Sequence, residues 1–220
     1  MIFYHGSKEI INVPTVKGSN QENDYGSSFY LTKDIEAAKS WACRNNKVGV
    51  INKFMVKETT YKRLKILDLS DKTKYSVLNW LAILLKFRKV STEFKKNNKI
   101  IFEWIDKYYI DVNDFDIVIG YRADNAYFRF PISFINGEIS LEDLEEAYEL
   151  GDLGIQYAFM SKRAIKSLEF LESIKCESTY IGTYFNVVVK GSNSFNEILS
   201  KPKDLNKKYI LDLMREDNEH

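Results

Sequence analysis

The sequence predicts an α+β fold, and three observations carry that prediction. Short apolar, β-favouring runs are scattered along the chain at Ile2–Tyr4, Ser28–Leu31, Gly49–Val56, Lys65–Leu69, Asp116–Gly120 and Tyr157–Met160. Helix-period segments stand between them, the clearest at Lys74–Val90, where Val77, Trp80, Leu81, Leu84 and Leu85 recur at helical spacing. The two kinds of segment do not alternate in the regular manner of a parallel βαβ sheet.

Taken in order, Ile2–Tyr4 opens the chain as a strand. Residues 8–23 are polar and broken by Pro14, Gly18 and several asparagines, the composition of a loop. After the Ser28–Leu31 strand, Thr32 is the expected cap of a helix over Lys33–Arg44 that puts Ile35, Ala38 and Trp41 or Ala42 on one face. Beyond the Lys74–Val90 helix, Ile100–Tyr109 repeats the helical period weakly. Helices are also expected over Phe128–Asn136 and over Ser140–Leu150, with Ser140 as cap and Glu142 or Asp143 in the first turn. Ser161 caps a short helix through Leu168, and Lys207–Arg215 is an amphipathic closing helix. With three prolines, ten glycines, no low-complexity linker and no repeat, the expectation is one domain over residues 1–220 with a helical insert at about 74–110.

Composition narrows the function classes. The formal net charge of +1 does not advertise nucleic acid. Charge is nevertheless uneven. Residues 86–99 hold Lys86, Arg88, Lys89, Lys95, Lys96 and Lys99 against Glu93, and residues 138–149 are acidic. The basic stretch, with Phe87 and Phe94, is either a solvated helix end or a phosphate-contacting surface. Cys43 and Cys176 form no CxxC or CxxH pattern, so neither a zinc site nor a disulfide framework is expected, and both read as buried thiols. Met1 runs into a strand without a basic leader, and the apolar run Trp80–Leu85 is too short to span a bilayer, so a soluble, cytoplasmic protein is expected.

Two motifs near the start carry the chemistry. The first is Tyr4-His5-Gly6-Ser7. The second is Asp24-Tyr25-Gly26-Ser27-Ser28-Phe29-Tyr30-Leu31-Thr32, followed by the helical pattern through Trp41-Ala42. A histidine at a strand end is ordinarily a satisfied structural group, and a strand tyrosine is ordinarily core. Apart from His5, however, the only histidine is His220, the last residue.

In that order the motifs resemble a bacterial family first catalogued as a domain of unknown function and placed in the ADP-ribosyltransferase superfamily. The likeness continues through Trp80-Leu81 to Arg88-Lys89, Ile117 to Phe128, Phe134 to Gly137, Gly154 to Phe159, Ala164 to Phe170 and Tyr209 to Arg215. It implies a split β-sheet core with inserted helices, NAD as substrate without a metal, and transfer of ADP-ribose to a macromolecular acceptor, protein or nucleic acid. It also suggests a toxin of a toxin–antitoxin or phage-defence pair, neutralised by a cognate antitoxin.

The resemblance further implies a His-Tyr-Gln version of the superfamily's His-Tyr-Glu set. His5 would bond an adenosine-ribose hydroxyl, Gly6 would let its backbone meet the nicotinamide amide, and Tyr30 would stack on nicotinamide. Ser7 and Thr32 join the cofactor-binding set. Gln156 falls at the third position, where a neutral amide orients ribose but carries no charge. Asp124 is the first candidate for an acid that assists it, or else a helix cap. Arg122 has three open roles: binding the pyrophosphate, gripping an acceptor, or pairing with Asp124. Lys8, Lys17 and Lys33 are weaker pyrophosphate candidates. NAD hydrolysis and a degenerate, non-catalytic binding module are the competing readings.

Overall fold

A computed structural model describes residues 1–17, 19–123, 128–149 and 154–219. The chain begins with β1 (Ile2–Ser7), β2 (Phe29–Leu31), α1 (Ile35–Ala42), β3 (Val50–Met55), α2 (Glu58–Tyr61) and β4 (Ile66–Asp68). Helices α3 (Val77–Phe87), α4 (Thr92–Asn97) and α5 (Lys99–Asp106) follow, then β5 (Ile117–Tyr121), α6 (Arg129–Ile135) and α7 (Leu141–Glu149). The described elements end with β6 (Ile155–Phe159), α8 (Lys162–Lys166), β7 (Glu169–Lys175), α9 (Thr183–Ser200) and α10 (Ile210–Asn218). The class is α+β.

The strands form two sheets, ordered β1-β3-β7 and β2-β6-β5-β4. All pairings are antiparallel except β4 with β5. A bridge between Tyr4 and Thr32 joins the sheets, with Tyr4 N donating to the Thr32 carbonyl at 2.8 Å and Thr32 N to the Tyr4 carbonyl at 2.9 Å.

The period-2 alternation of β5 and β6 sorts their side chains between two cores. Ile117, Ile119 and Phe159 pack with Phe3, Phe29, Leu31 and Phe54, where Phe3 and Phe159 meet edge-on at 5.3 Å. Val118 and Ala158 face the other way, toward a core built with Trp80, Leu81 and Leu84 of α3 and with Phe130 and Phe134. Gly120 and Gln156 share that second face by the same alternation, which turns Gln156 toward the helical side of the sheet.

Caps at Ser140 and Ser161 form as expected. The Ser140 hydroxyl accepts from Asp143 N at 3.1 Å, and the Ser161 hydroxyl from Ala164 N at 3.0 Å. The cap of α1 is a correction: it is Asp34, whose side chain accepts from Glu36 N at 2.8 Å. Thr32 is still in the strand pairing, and its hydroxyl accepts from Asp34 N at 3.1 Å. Strand β7 and helix α9 were not expected. Helix α9 carries Val187, Val188 and Val189 in succession, a β-favouring run, and is held by burying Gly191, Phe195 and Ile198. Cys43 and Cys176 are both free and buried, packed with Ala38 and Ile51. Among the described residues no helix is long and apolar enough to cross a membrane.

Asp116 ties the start of β5 to α8. Its carboxylate accepts from Lys65 N at 2.8 Å, from the Ser161 hydroxyl and from the Arg163 guanidinium. Burial alone would raise its pKa, but these donors outweigh burial and hold it at about 2. A depressed carboxylate stabilises the fold above its unfolded pKa and loses that contribution as pH falls through the folded value. Wild type should therefore lose stability relative to Asp116→Asn between about pH 4 and pH 2. Urea melts across that range check this; parallel pH profiles would show that the pair contributes nothing.

Candidate functional site

His5 lies on β1 opposite Asn52 of β3, a fully buried asparagine. The Asn52 amide donates to the Ser7 hydroxyl at 2.8 Å, and its oxygen accepts from Ile11 N and from the Ser173 hydroxyl, both at 2.8 Å. Asn52 thereby clamps the His-Gly-Ser segment and the loop after it. Sequence reasoning assigned Asn52 no role, because a polar residue inside a strand gives no hint of long-range partners. The Ser7 hydroxyl is engaged by this clamp and by the Glu9 carbonyl. The Thr32 hydroxyl lies between Asp34 N and the Ile155 carbonyl. Both expected cofactor hydroxyls thus serve the local fold. Gly6 has its own structural reason: a Cβ there would stand 2.2 Å from the Ala38 carbonyl oxygen of α1.

The first two motif positions meet. His5 Nδ1 is 2.7 Å from the Tyr30 carbonyl oxygen, and the imidazole stacks on Phe29 at 4.5 Å and 26°. A carbonyl only accepts, so Nδ1 carries the proton and Nε2 of the neutral ring is an acceptor. Burial lowers the His5 pKa against the opposing effect of that hydrogen bond, and the charges of Arg122 and Arg44 lower it further. Tyr30 is anchored by its hydroxyl, which accepts from Tyr25 N at 3.1 Å and donates to the Gly26 carbonyl at 2.8 Å. Gly26, at φ 75°, permits this turn, and a side chain there would strike the Phe87 ring.

Gln156 is 4 % exposed and is opposite Gly120 in the sheet. Its Nε2 donates at 2.8 Å to Oδ2 of Asp24, which also accepts from Ala123 N at 2.8 Å. Arg88 comes within 3.5 Å of the other Asp24 oxygen. Burial raises the Asp24 pKa, opposed by the Arg88 charge and by the two hydrogen bonds. Among the described residues the acid beside Gln156 is Asp24; Asp124 lies outside them. Next to this pair, the Trp80 indole donates to the Tyr25 hydroxyl at 3.0 Å and to the Tyr121 carbonyl at 3.1 Å. Burial pushes the Tyr25 and Tyr30 hydroxyls well above the usual phenol range, with the Asp24 charge adding to it.

The Arg122 guanidinium lies over the Trp41 ring at 4.2 Å, and that of Arg44 lies over the same ring at 4.0 Å. The sequence suggested Arg122 but not Arg44, since only the fold brings both to one indole. Among the weaker candidates, Lys33 lies over Tyr157 at 4.8 Å. Of the basic stretch, Lys86, Lys95 and Lys99 line one cavity with Phe102. Arg88 turns inward to Asp24, Phe87 packs against Gly26, and Phe94 meets Phe102 edge-on at 6.2 Å. Phe87 and Phe94 are both half-buried. The acidic helix α7 keeps Glu142, Glu145 and Glu146 exposed while Asp143 pairs with Lys207 at 2.6 Å.

The site thus joins a neutral histidine acceptor, a buried carboxylate–amide pair and two guanidiniums on one indole, set where two sheets meet at a single described bridge. Residues 1–170 match a family described as a protein of unknown function (DUF3990), and the chain belongs to that family. No curated protein and no solved structure matches the chain.

Proposed function

We propose that this protein is a mono-ADP-ribosyltransferase that takes NAD as substrate and transfers ADP-ribose to a macromolecular acceptor. The observation that carries the reading is the contact of His5 with Tyr30, which unites the two N-terminal motifs, with Gln156 on the strand paired to β2. Nicotinamide leaves with the electron pair of its bond to ribose, positive charge builds on the ribose, and an acceptor nucleophile takes the anomeric carbon and gives up its proton. His5 Nε2 accepts from an adenosine-ribose hydroxyl, Tyr30 stacks on nicotinamide, and Gln156 orients the other ribose. Arg44 and Arg122 offer the pyrophosphate two planar cations. Because Gly6 is occupied with α1, its part in binding is confined to the main chain. A role as a cytoplasmic bacterial toxin with a cognate antitoxin is part of the same proposal and rests on the family resemblance alone.

The test is incubation of the protein with adenylate-labelled NAD and a cell lysate, divided afterwards between protease and nuclease. Label released by protease identifies a protein acceptor, and label released by nuclease a nucleic acid. Nicotinamide without labelled polymer means hydrolysis, and no consumption of NAD leaves a binding module. His5 adds a pH signature. Its pKa is held below the usual 6.5, so the ring accepts at neutral pH. NAD affinity should be flat above neutrality and fall as acid protonates Nε2, and His5→Ala should be weaker throughout and lose that pH dependence. Titrations of NAD between pH 5 and pH 8, the range about the ordinary histidine pKa, read it. An unchanged slope in the variant would remove His5 from the binding site.

A further inference from the structure

We propose that Asp24 is a positioning residue that makes Gln156 the hydrogen-bond acceptor of the site, which rests on the transferase reading above. An amide has two nearly isosteric ends, and the end that meets a ribose hydroxyl decides whether the site accepts or donates. Asp24 settles which end it is. Its Oδ2 already takes the Ala123 main-chain N–H at 2.8 Å, so it is an acceptor whether or not the carboxyl holds a proton on Oδ1. The Gln156 atom 2.8 Å from it also faces the Tyr121 carbonyl, which can only accept, so that atom is the NH2 nitrogen. The second hydrogen of that NH2 has an acceptor in the Tyr121 carbonyl at 3.5 Å. With both Nε2 hydrogens directed to the protein, Oε1 is the end left to a ribose hydroxyl.

This arrangement answers the missing glutamate. A carboxylate at position 156 would be both acceptor and charge. Here the acceptor is the amide oxygen and the acidic group stands one residue behind it, hydrogen-bonded to the far end of the same amide. Such a chain of hydrogen bonds polarises the amide and strengthens Oε1 as an acceptor. Arg88, 3.5 Å from Oδ1, helps to hold the acid in place. Among the described residues the remaining Asp24 oxygen is buried and accepts no hydrogen bond, so the hydrogen bonds to the carboxyl converge on Oδ2.

The test is a cycle of Gln156→Glu, Asp24→Asn and the double variant, read by NAD turnover, KM and melting temperature. Gln156→Glu sets two carboxyls face to face in a buried site, so turnover should fall about tenfold or more, with a lower melting temperature. In the double variant the asparagine at position 24 accepts from Ala123 N and donates to the carboxylate at position 156, restoring the pairing with its ends exchanged. It should recover about tenfold in kcat over Gln156→Glu, with KM changed much less, and regain the melting temperature. A Gln156→Glu protein as active and as stable as wild type would overturn the proposal, as would a double variant no better than that single one. Additive changes in melting temperature would overturn the Asp24–Gln156 coupling whether or not NAD is turned over. A wild-type protein that neither binds nor consumes NAD would overturn the transferase reading, and with it this role in catalysis.

Discussion

Gly6→Ala is expected to lower the melting temperature by roughly 5–10 °C, from an overpacking cost of about 3 kcal/mol. The added Cβ would lie 2.2 Å from the Ala38 carbonyl oxygen and 2.8 Å from Ala42 N, both main-chain atoms of α1 that no rotamer change can move. Strand β1 has no easy retreat, because Gly6 is in register with Ile51 of β3 and the Asn52 clamp holds Ser7 behind it. Either α1 shifts as a body or β1 gives up pairing. Moving α1 would also displace Trp41 and the two guanidiniums stacked on it. Thermal melts by circular dichroism measure the effect. Ser7→Ala is the comparison, removing the hydroxyl's hydrogen bonds with Asn52 and the Glu9 carbonyl at about 1 kcal/mol each. A Gly6→Ala protein that melts like wild type yet loses NAD would transfer the glycine requirement from helix packing to the ligand.

Gln156→Ala is expected to cut turnover about 100-fold while weakening NAD binding much less, the pattern of a group whose contact strengthens in the transition state. The truncation also acts on the fold. It leaves a buried carboxyl short of one donor, a cost of about 1–3 kcal/mol. Kinetics should therefore be taken well below the variant's own melting temperature, so that lost turnover is not lost folding. Equal losses in kcat and in affinity would mean that Gln156 only positions the cofactor. An unchanged kcat would move the chemistry to another residue altogether.

Much of the local structure is legible in the sequence for plain physical reasons. The apolar, β-favouring runs at Ile117–Gly120 and Tyr157–Phe159, the helical period through Trp80–Leu85 and the caps at Ser140 and Ser161 are short-range signals, and each corresponds to an observed element. The signal fails where tertiary burial overrides local preference. Helix α9 forms against its valine run, and β7 exists because β3 offers it an edge. The α1 cap lies at Asp34, two residues beyond Thr32, because Thr32 is claimed by the bridge to Tyr4.

The candidate site divides along the same line. Motif order along the chain is enough to single out His5, Tyr30 and Gln156 as candidates. It takes the packed chain to place Asp24 beside Gln156, to bring Arg44 and Arg122 to one indole, and to seat Gly6 against a helix. The Asp24–Gln156 bond spans 132 residues. It is set by the alternation that turns Gln156 to the helical face and by the turn anchored on the Tyr30 hydroxyl. A periodicity reports which face a side chain takes, but not which distant group waits on that face, because the distant group arrives through strand pairing and packing.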